Sequence, residues 1–303
     1  MSTGIKNGKE RTNNIYRVKL ILFLFVLLPL ISYSSDLKKG DGWVIVIDAG
    51  HGGRDPGAKG SFSYEKDITL AIALKTGEYI KNNLKDVRVV YTRRRDSTLN
   101  LYDRPKIANK VNADLFISIH VNWAKQKNIK GTETFIMGLT QDQQNLDVAM
   151  KENEVIYLEK DYSTKYEGFD PKSPESYVMF TLMQNIFQEQ STGLASKIQI
   201  QYKENNNRYD RGVKQAGFWV LYNTTMPSVL TETGFITNPD EEKYLNSKEG
   251  QDYVASSIFR ACREYINEID NKSGISAVNT LNAPRNEKPD TDQITAKNEL
   301  VFM

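Results

Sequence analysis

The sequence predicts an α/β fold, a mostly parallel twisted sheet with helices on both faces, in a single domain that carries a helical insertion. Three observations lead there. The run "VIVID" (44–48) is continuously apolar and β-branched, as a strand buried on both faces requires. Further short apolar runs alternate with segments of helical period, the pattern of a sheet covered by helices. Near the far end, "KEGQDYVASSIFRACREYINEI" (248–269) sets Tyr253, Val254, Ile258, Ala261, Cys262, Tyr265 and Ile269 on one helix face, which would close the domain.

Residues 1–35 stand outside this fold. A basic stretch (Lys6, Lys9, Arg11, Arg17, Lys19) precedes the apolar run "LILFLFVLLPLI" (20–31) and the small-residue pattern of Ser32 and Ser34, which is the layout of a signal peptide. The other reading is an uncleaved N-terminal anchor, and that segment is the only route to membrane contact. Either way the body is exported, to the periplasm or cell envelope of a bacterium.

The folded region is expected over 43–269. After "VIVID", the segment 65–84 places Ile68 and Ile72 at helical spacing. Strands follow at "VRVVYT" (87–92), "DLFISIH" (114–120) and "GTETFIM" (131–137), with a helix at "RPKIANKVN" (104–112). Residues 138–192 break the alternation with two helix-like runs around "DPKSPES", an insertion far longer than an ordinary connection. A helix is expected at "LASKIQIQYKENN" (194–206), then strands at "FWVLYN" (218–223) and "PSVLTETGF" (227–235). After Asp270 the composition turns polar and patternless, so 270–303 reads as a disordered tail.

Composition narrows the function classes. The single cysteine, Cys262, excludes an intrachain disulfide and falls at an apolar helical position, as a small core residue would. Loss of residues 1–35 removes five basic and one acidic residue and takes the formal charge from +2 to −2. Nothing in that balance points to nucleic acid, and "TRRRD" (92–96) reads as a solvated strand end.

The chain has only two histidines, and both fall at the carboxyl ends of strands. His51 lies in the turn Gly50-His51-Gly52-Gly53 after the first strand, and His120 closes "LFISIH". Ligands of open α/β sheets bind outside those ends, so two imidazoles there can converge on a metal. A catalytic zinc needs three protein ligands and an open position, and with no cysteine nearby the third is Asp or Glu. Asp48, Asp55, Glu65 and Asp67 are candidates; Glu65, opening the next helix at the same sheet end, is preferred by position. "GGRDPGAKG" is no phosphate loop, because Ala58 stands where Walker spacing requires lysine and Gly60 follows Lys59. Its glycines instead let the backbone turn sharply under His51.

The motifs "IDAGHGGRDPGAKG…YEKD", "YTRRRD", "R…IAN…ADLFISIHVN", "GTETFIM" and "PSVLTETGFITNPDEEKYL", in this order over about 43–269, resemble the zinc-dependent, AmiC-like N-acetylmuramoyl-L-alanine amidases. The resemblance implies His51, Glu65 and His120 as ligands of one zinc ion and Glu232, in "TETGF", as the catalytic carboxylate. It implies peptidoglycan as substrate, cleaved between N-acetylmuramic acid and L-alanine, in wall remodelling or daughter-cell separation. It also implies that an inserted helix can occlude the zinc cleft until an activator protein displaces it. Helices within 144–160 or 176–190 could do so, with Glu152, Glu154 or Glu159 in the open zinc position. The simpler alternative is a helical hairpin that enlarges the substrate groove. Two rival functions remain at this point: another exported zinc hydrolase, a peptidase or deacetylase, on the same scaffold, or a catalytically silent relative that binds the wall.

Overall fold

A computed structural model describes residues 42–140, 142–181 and 186–272. The expected signal segment lies outside the described residues, and so does the expected tail apart from 270–272, which continue the last helix instead of leaving it. Six strands form one sheet: β1 (Trp43–Ala49), β2 (Val87–Tyr91), β3 (Leu115–Asn122), β4 (Thr132–Met137), β5 (Asp210–Ala216) and β6 (Ser228–Phe235), in the order β2-β1-β3-β6-β4-β5. All neighbouring pairs are parallel except β4 with β6. The carboxyl ends of β1, β3 and β6 therefore share one rim.

Alternation along the strands feeds two cores, one on each face. Ile45 and Ile47 join Ile117 and Ile119 under helices α1 (Glu65–Asn83), α4 (Gln188–Asn206) and α6 (Lys248–Lys272). Val46, Phe116, Phe135 and Leu230 point the other way, beneath α2 (Asp103–Lys110) and the insertion. This is why β1 and β3 read as unbroken apolar runs: neither face meets water. Cys262 belongs to the first core and is fully buried, as its helical position suggested.

The insertion contributes α3 (Gln143–Asn153), capped by Asp142, whose side chain accepts from the Asn145 N–H at 2.8 Å. A 3-10 turn follows at Glu154–Leu158, and the expected second helical run is broken among the described residues: a 3-10 turn at Pro174–Tyr177 leads into a short helix at Val178–Thr181, and the last residues of the run, from Gln188, already belong to α4.

Three elements differ from expectation. "FWVLYN" is a short helix, Trp219–Tyr222, and not a strand; its Trp219, Val220 and Leu221 are all buried, and a short apolar run alone cannot separate a buried strand from a buried helical turn. Nothing in "DRGVKQA" predicts the strand β5, since it has no apolar alternation, which suits an edge strand with charged side chains. Helix α5 (Pro239–Asn246) was also unforeseen, although its start is marked: the Asn238 side chain accepts from Asp240 and Glu241 N–H, and Pro239 occupies the first turn.

Candidate metal centre

The turn after β1 fixes the first imidazole. His51 adopts φ +59°, in the left-handed region, and Gly57 packs so closely beneath it that a Cβ there would lie 2.6 Å from His51 Cδ2 and 2.7 Å from Glu65 Oε2. Gly50 serves His120 in the same way, since a Cβ would lie 2.6 Å from that ring. The glycines thus do more than turn the chain: they leave room for both imidazoles. His51 and His120 meet edge to face, with ring centroids 4.9 Å apart.

Glu65, the first residue of α1, is fully buried, and each of its oxygens accepts one backbone N–H: Oε2 from Ala58 at 2.8 Å and Oε1 from Val121 at 2.9 Å. Those bonds tie the loop after β1 to the end of β3 through one carboxylate. The remaining lone pairs face the histidines, with Oε2 3.1 Å from His51 Nε2 and Oε1 3.1 Å from His120 Nδ1.

A fourth group enters from the insertion. Glu152, in the last turn of α3, places Oε2 3.1 Å from His51 Nε2 and 2.9 Å from His120 Nδ1. Ligand atoms of His51, Glu65, His120 and Glu152 all lie within 4.8 Å of one another. His51 Nε2 and Glu152 Oε2 are buried, yet neither makes a hydrogen bond of acceptable alignment, so they point at a common centre more than at each other. Two imidazole nitrogens and carboxylate oxygens, all on buried residues, suit a divalent ion such as zinc. Asp55 completes the arrangement: its Oδ2 is 2.7 Å from His51 Nδ1 and its Oδ1 accepts from Gly57 N–H at 3.0 Å, which holds the ring with Nε2 toward the cluster.

Electrostatics follow from the crowding. Burial alone would lower the His51 pKa, but the charges of Glu65, Glu152 and Asp55 outweigh it and hold it well above the usual imidazole value. His120, desolvated but facing Glu152, rises to about 9. Glu65 is driven below its usual range despite burial, mainly by His51.

Glu232 stands beside this cluster in mid-β6, registered with His120 on β3 and Glu133 on β4. It is fully buried, and neither oxygen has a hydrogen-bond partner among the described residues. Burial, with Glu152, Glu65 and Glu133 nearby, pushes its pKa well above the ordinary carboxyl value. Glu133 itself is neutralised by Arg211 at 3.0 Å and Lys214 at 2.5 Å.

The structure does not bring every candidate together. Glu154 faces solvent and pairs with Lys151 and Lys172. Glu159 is buried but accepts from Leu101 N–H at 2.7 Å and Tyr166 O–H at 2.6 Å, anchoring the insertion away from the cluster. Asp48 is spent on Arg104, Thr92 and Ser118, and Asp67 is outside the cluster. "TRRRD" is no uniform solvated end either: Arg94 and Arg95 are exposed, but Arg93 is buried against carbonyl oxygens at the end of β1. By residue type Asp55 is a candidate ligand only; its place four residues after His51 within one turn is the sign of the orienting contact it makes.

Residues 45–264 match the family model described as N-acetylmuramoyl-L-alanine amidase. The chain is 34% identical over 240 residues to N-acetylmuramoyl-L-alanine amidase AmiA of Escherichia coli K12, covering 79% of this chain and 81% of that protein. An N-acetylmuramoyl-L-alanine amidase from Clostridium difficile 630 superposes with a TM-score of 0.57 at 28% identity, over 75% of this chain and 98% of that one. The CwlD amidase of Clostridioides difficile, solved in complex with the GerS lipoprotein, gives 0.55 at 28% identity, over 75% and 99%.

Proposed function

The chain belongs to the N-acetylmuramoyl-L-alanine amidase family, and from that premise we propose that it is a zinc-dependent peptidoglycan hydrolase whose metal is held by His51, Glu65 and His120. The observation that carries this reading is the convergence of these three side chains, from β1, α1 and β3, with an unpartnered carboxylate beside them. When bound there, zinc supplies Lewis acidity toward the amide carbonyl and acidifies water toward neutrality. Asp55 keeps the His51 ring in its working tautomer, and the two backbone N–H donors on Glu65 keep its lone pairs aimed inward. Glu232 takes the proton of the attacking water as its oxygen bonds to the lactyl carbonyl carbon, then gives that proton to the alanine nitrogen as the carbon–nitrogen bond breaks. A carboxyl group with a raised proton affinity suits both halves of that transfer.

Glu152 favours the plug over the groove-enlarging hairpin. Its carboxylate lies where a fourth ligand would stand, so the described arrangement is the closed one, and substrate entry requires α3 to move. The plug is bolted in place next door: Asn153 Nδ2 donates to Gly217 O at 2.8 Å, and its Oδ1 accepts from Trp219 N–H at 3.0 Å. An activator protein that withdraws α3 fits this design, and the related CwlD amidase was solved with a lipoprotein partner. The proposed setting is the bacterial cell envelope, reached by way of residues 1–35.

Mass spectrometry of sacculi digested by the Glu152→Ala variant, in which the position between the histidines is open, tests the assignment. Release of intact stem peptides with a free L-alanine amino terminus, abolished by chelator and restored by zinc, is expected. Cleavage within the stem peptide, or loss of acetyl groups, would replace the amidase by another hydrolase.

A further inference from the structure

Two buried arginines meet under the backbone that carries His51. Arg93, just past β2, donates from Nε to Ala49 O at 3.0 Å and from Nη2 to Gly50 O at 2.7 Å. Arg104, in the first turn of α2, donates from Nη1 to Ala49 O at 2.7 Å and from Nη2 to His51 O at 2.8 Å. Three consecutive carbonyls are therefore gripped by two planar forks that share the Ala49 oxygen. Each side chain is 4% exposed, so these charge-assisted bonds are shielded from water.

The grip has a reason. A histidine at φ +59° occupies a region that disfavours residues with a Cβ by about 1–2 kcal/mol, and it persists only where its surroundings over-determine it. Arg93 Nη2 also donates to Lys66 O at 2.8 Å and to Thr69 Oγ1 at 3.2 Å, both on α1, the helix opened by Glu65. Thr69 Oγ1 in turn donates to Gly50 O at 2.9 Å. One guanidinium thus spans the loop that carries His51 and the helix that carries Glu65. Asp48 Oδ1, 2.8 Å from Arg104 Nη1, supplies the buried countercharge.

We propose that Arg93 and Arg104 are positioning residues for the metal centre, a double-fork clamp that sets the His51 backbone against Glu65 before any ion arrives. This rests on the reading of His51 and Glu65 as ligands. A lysine cannot replace either arginine, because its donors all sit on one nitrogen, whereas each guanidinium reaches two carbonyls from two nitrogens held in a rigid planar fork.

The test uses the full chain with Arg93→Lys and Arg104→Lys, each measured for zinc affinity by competition with a chromophoric chelator and for thermal midpoint as the metal-free protein. Each substitution is expected to weaken zinc binding by about tenfold or more, the range typical of groups that orient ligands. A folded variant that keeps its zinc affinity within about threefold, even with a lower midpoint, would overturn the clamp and leave a merely structural role. Should the arginine variants not fold, Thr69→Val, which removes only the hydroxyl between Gly50 O and Arg93, decides: a loss of about threefold supports the clamp and an unchanged affinity overturns it. Wild-type protein that takes up no zinc in the same titration would overturn the metal reading itself, a result distinct from equal binding by wild type and variants.

Discussion

Replacing Glu232 by glutamine should make the metal-free protein more stable and the enzyme inactive. Its carboxyl is fully buried on a strand paired on both sides, and neither oxygen is hydrogen-bonded among the described residues. An unsatisfied buried polar group costs about 1–3 kcal/mol, and more if charged. Glutamine keeps the shape and a neutral polar amide but cannot ionise, so it avoids only the added cost of burying a charge; the gain expected at pH 8 is about 1.4 kcal/mol for each tenfold by which the fold tightens proton binding at this carboxyl, or about 2–4 °C in Tm per kcal/mol for a domain of this size. The gain depends on pH in a definite direction. Burial and the neighbouring carboxylates raise the Glu232 pKa in the folded state, so the folded chain retains a proton that the unfolded chain releases. Stability then falls as pH rises above the ordinary carboxyl value, a loss that glutamine does not share. The advantage of Glu232→Gln should be small near pH 4 and larger at pH 8. Hydrolysis of purified peptidoglycan should fall by about 10²–10⁴-fold, the usual share of a general base. Thermal unfolding in chelator at the two pH values and a dye-release assay with zinc make the measurement. A Tm below wild type at both pH values, or activity within about tenfold of wild type, would refute the assignment.

Three other outcomes follow from the same contacts. Glu152→Ala should raise activity without any partner, because it empties the position between His51 and His120; unchanged or lower activity in a folded, zinc-loaded variant would count against the plug. Asp48→Asn should destabilise the protein by about 3–5 kcal/mol, since it leaves Arg104 buried without its countercharge. Burial alone would raise the Asp48 pKa, but Arg104, Thr92 and Ser118 hold it below the usual range, so in chemical denaturation its contribution should be present above that range and vanish as pH falls through the folded value. Cys262, whose thiol burial pushes up to about 12, should resist a thiol reagent until the protein unfolds; labelling of the native protein at the rate of a free thiol would contradict its place in the core.

Local pattern determined a good deal here. Buried parallel strands need apolar residues on both faces, so β1, β3 and β6 announce themselves, and so does α6 through its stripe. With two histidines in the chain, both at strand ends, the place of a metal site is legible from residue type and position. What depends on the partner surface could not be read. "FWVLYN" is apolar in either conformation and folds as a turn of helix because Trp219 packs among Tyr166, Phe169 and Phe180, side chains brought from the insertion. The edge strand β5 carries no alternation, so only its pairing with β4 defines it.

The same division runs through the site. Sequence named Glu65 by position and could not choose among Glu152, Glu154 and Glu159, because three acidic residues in one polar stretch look alike until α3 is docked. Docking sends Glu152 to the histidines, Glu154 to solvent lysines and Glu159 to the Leu101 amide. Arg93 looked like part of a solvated run, and its burial follows from β2 lying beside β1, which turns one side chain in three under the His51 loop. Residue type and period set which elements form and what chemistry the chain can do. Which charges lose their water, and which carbonyls and carboxylates meet them, is settled only when distant segments pack, because desolvation is a property of the neighbours and not of the residue.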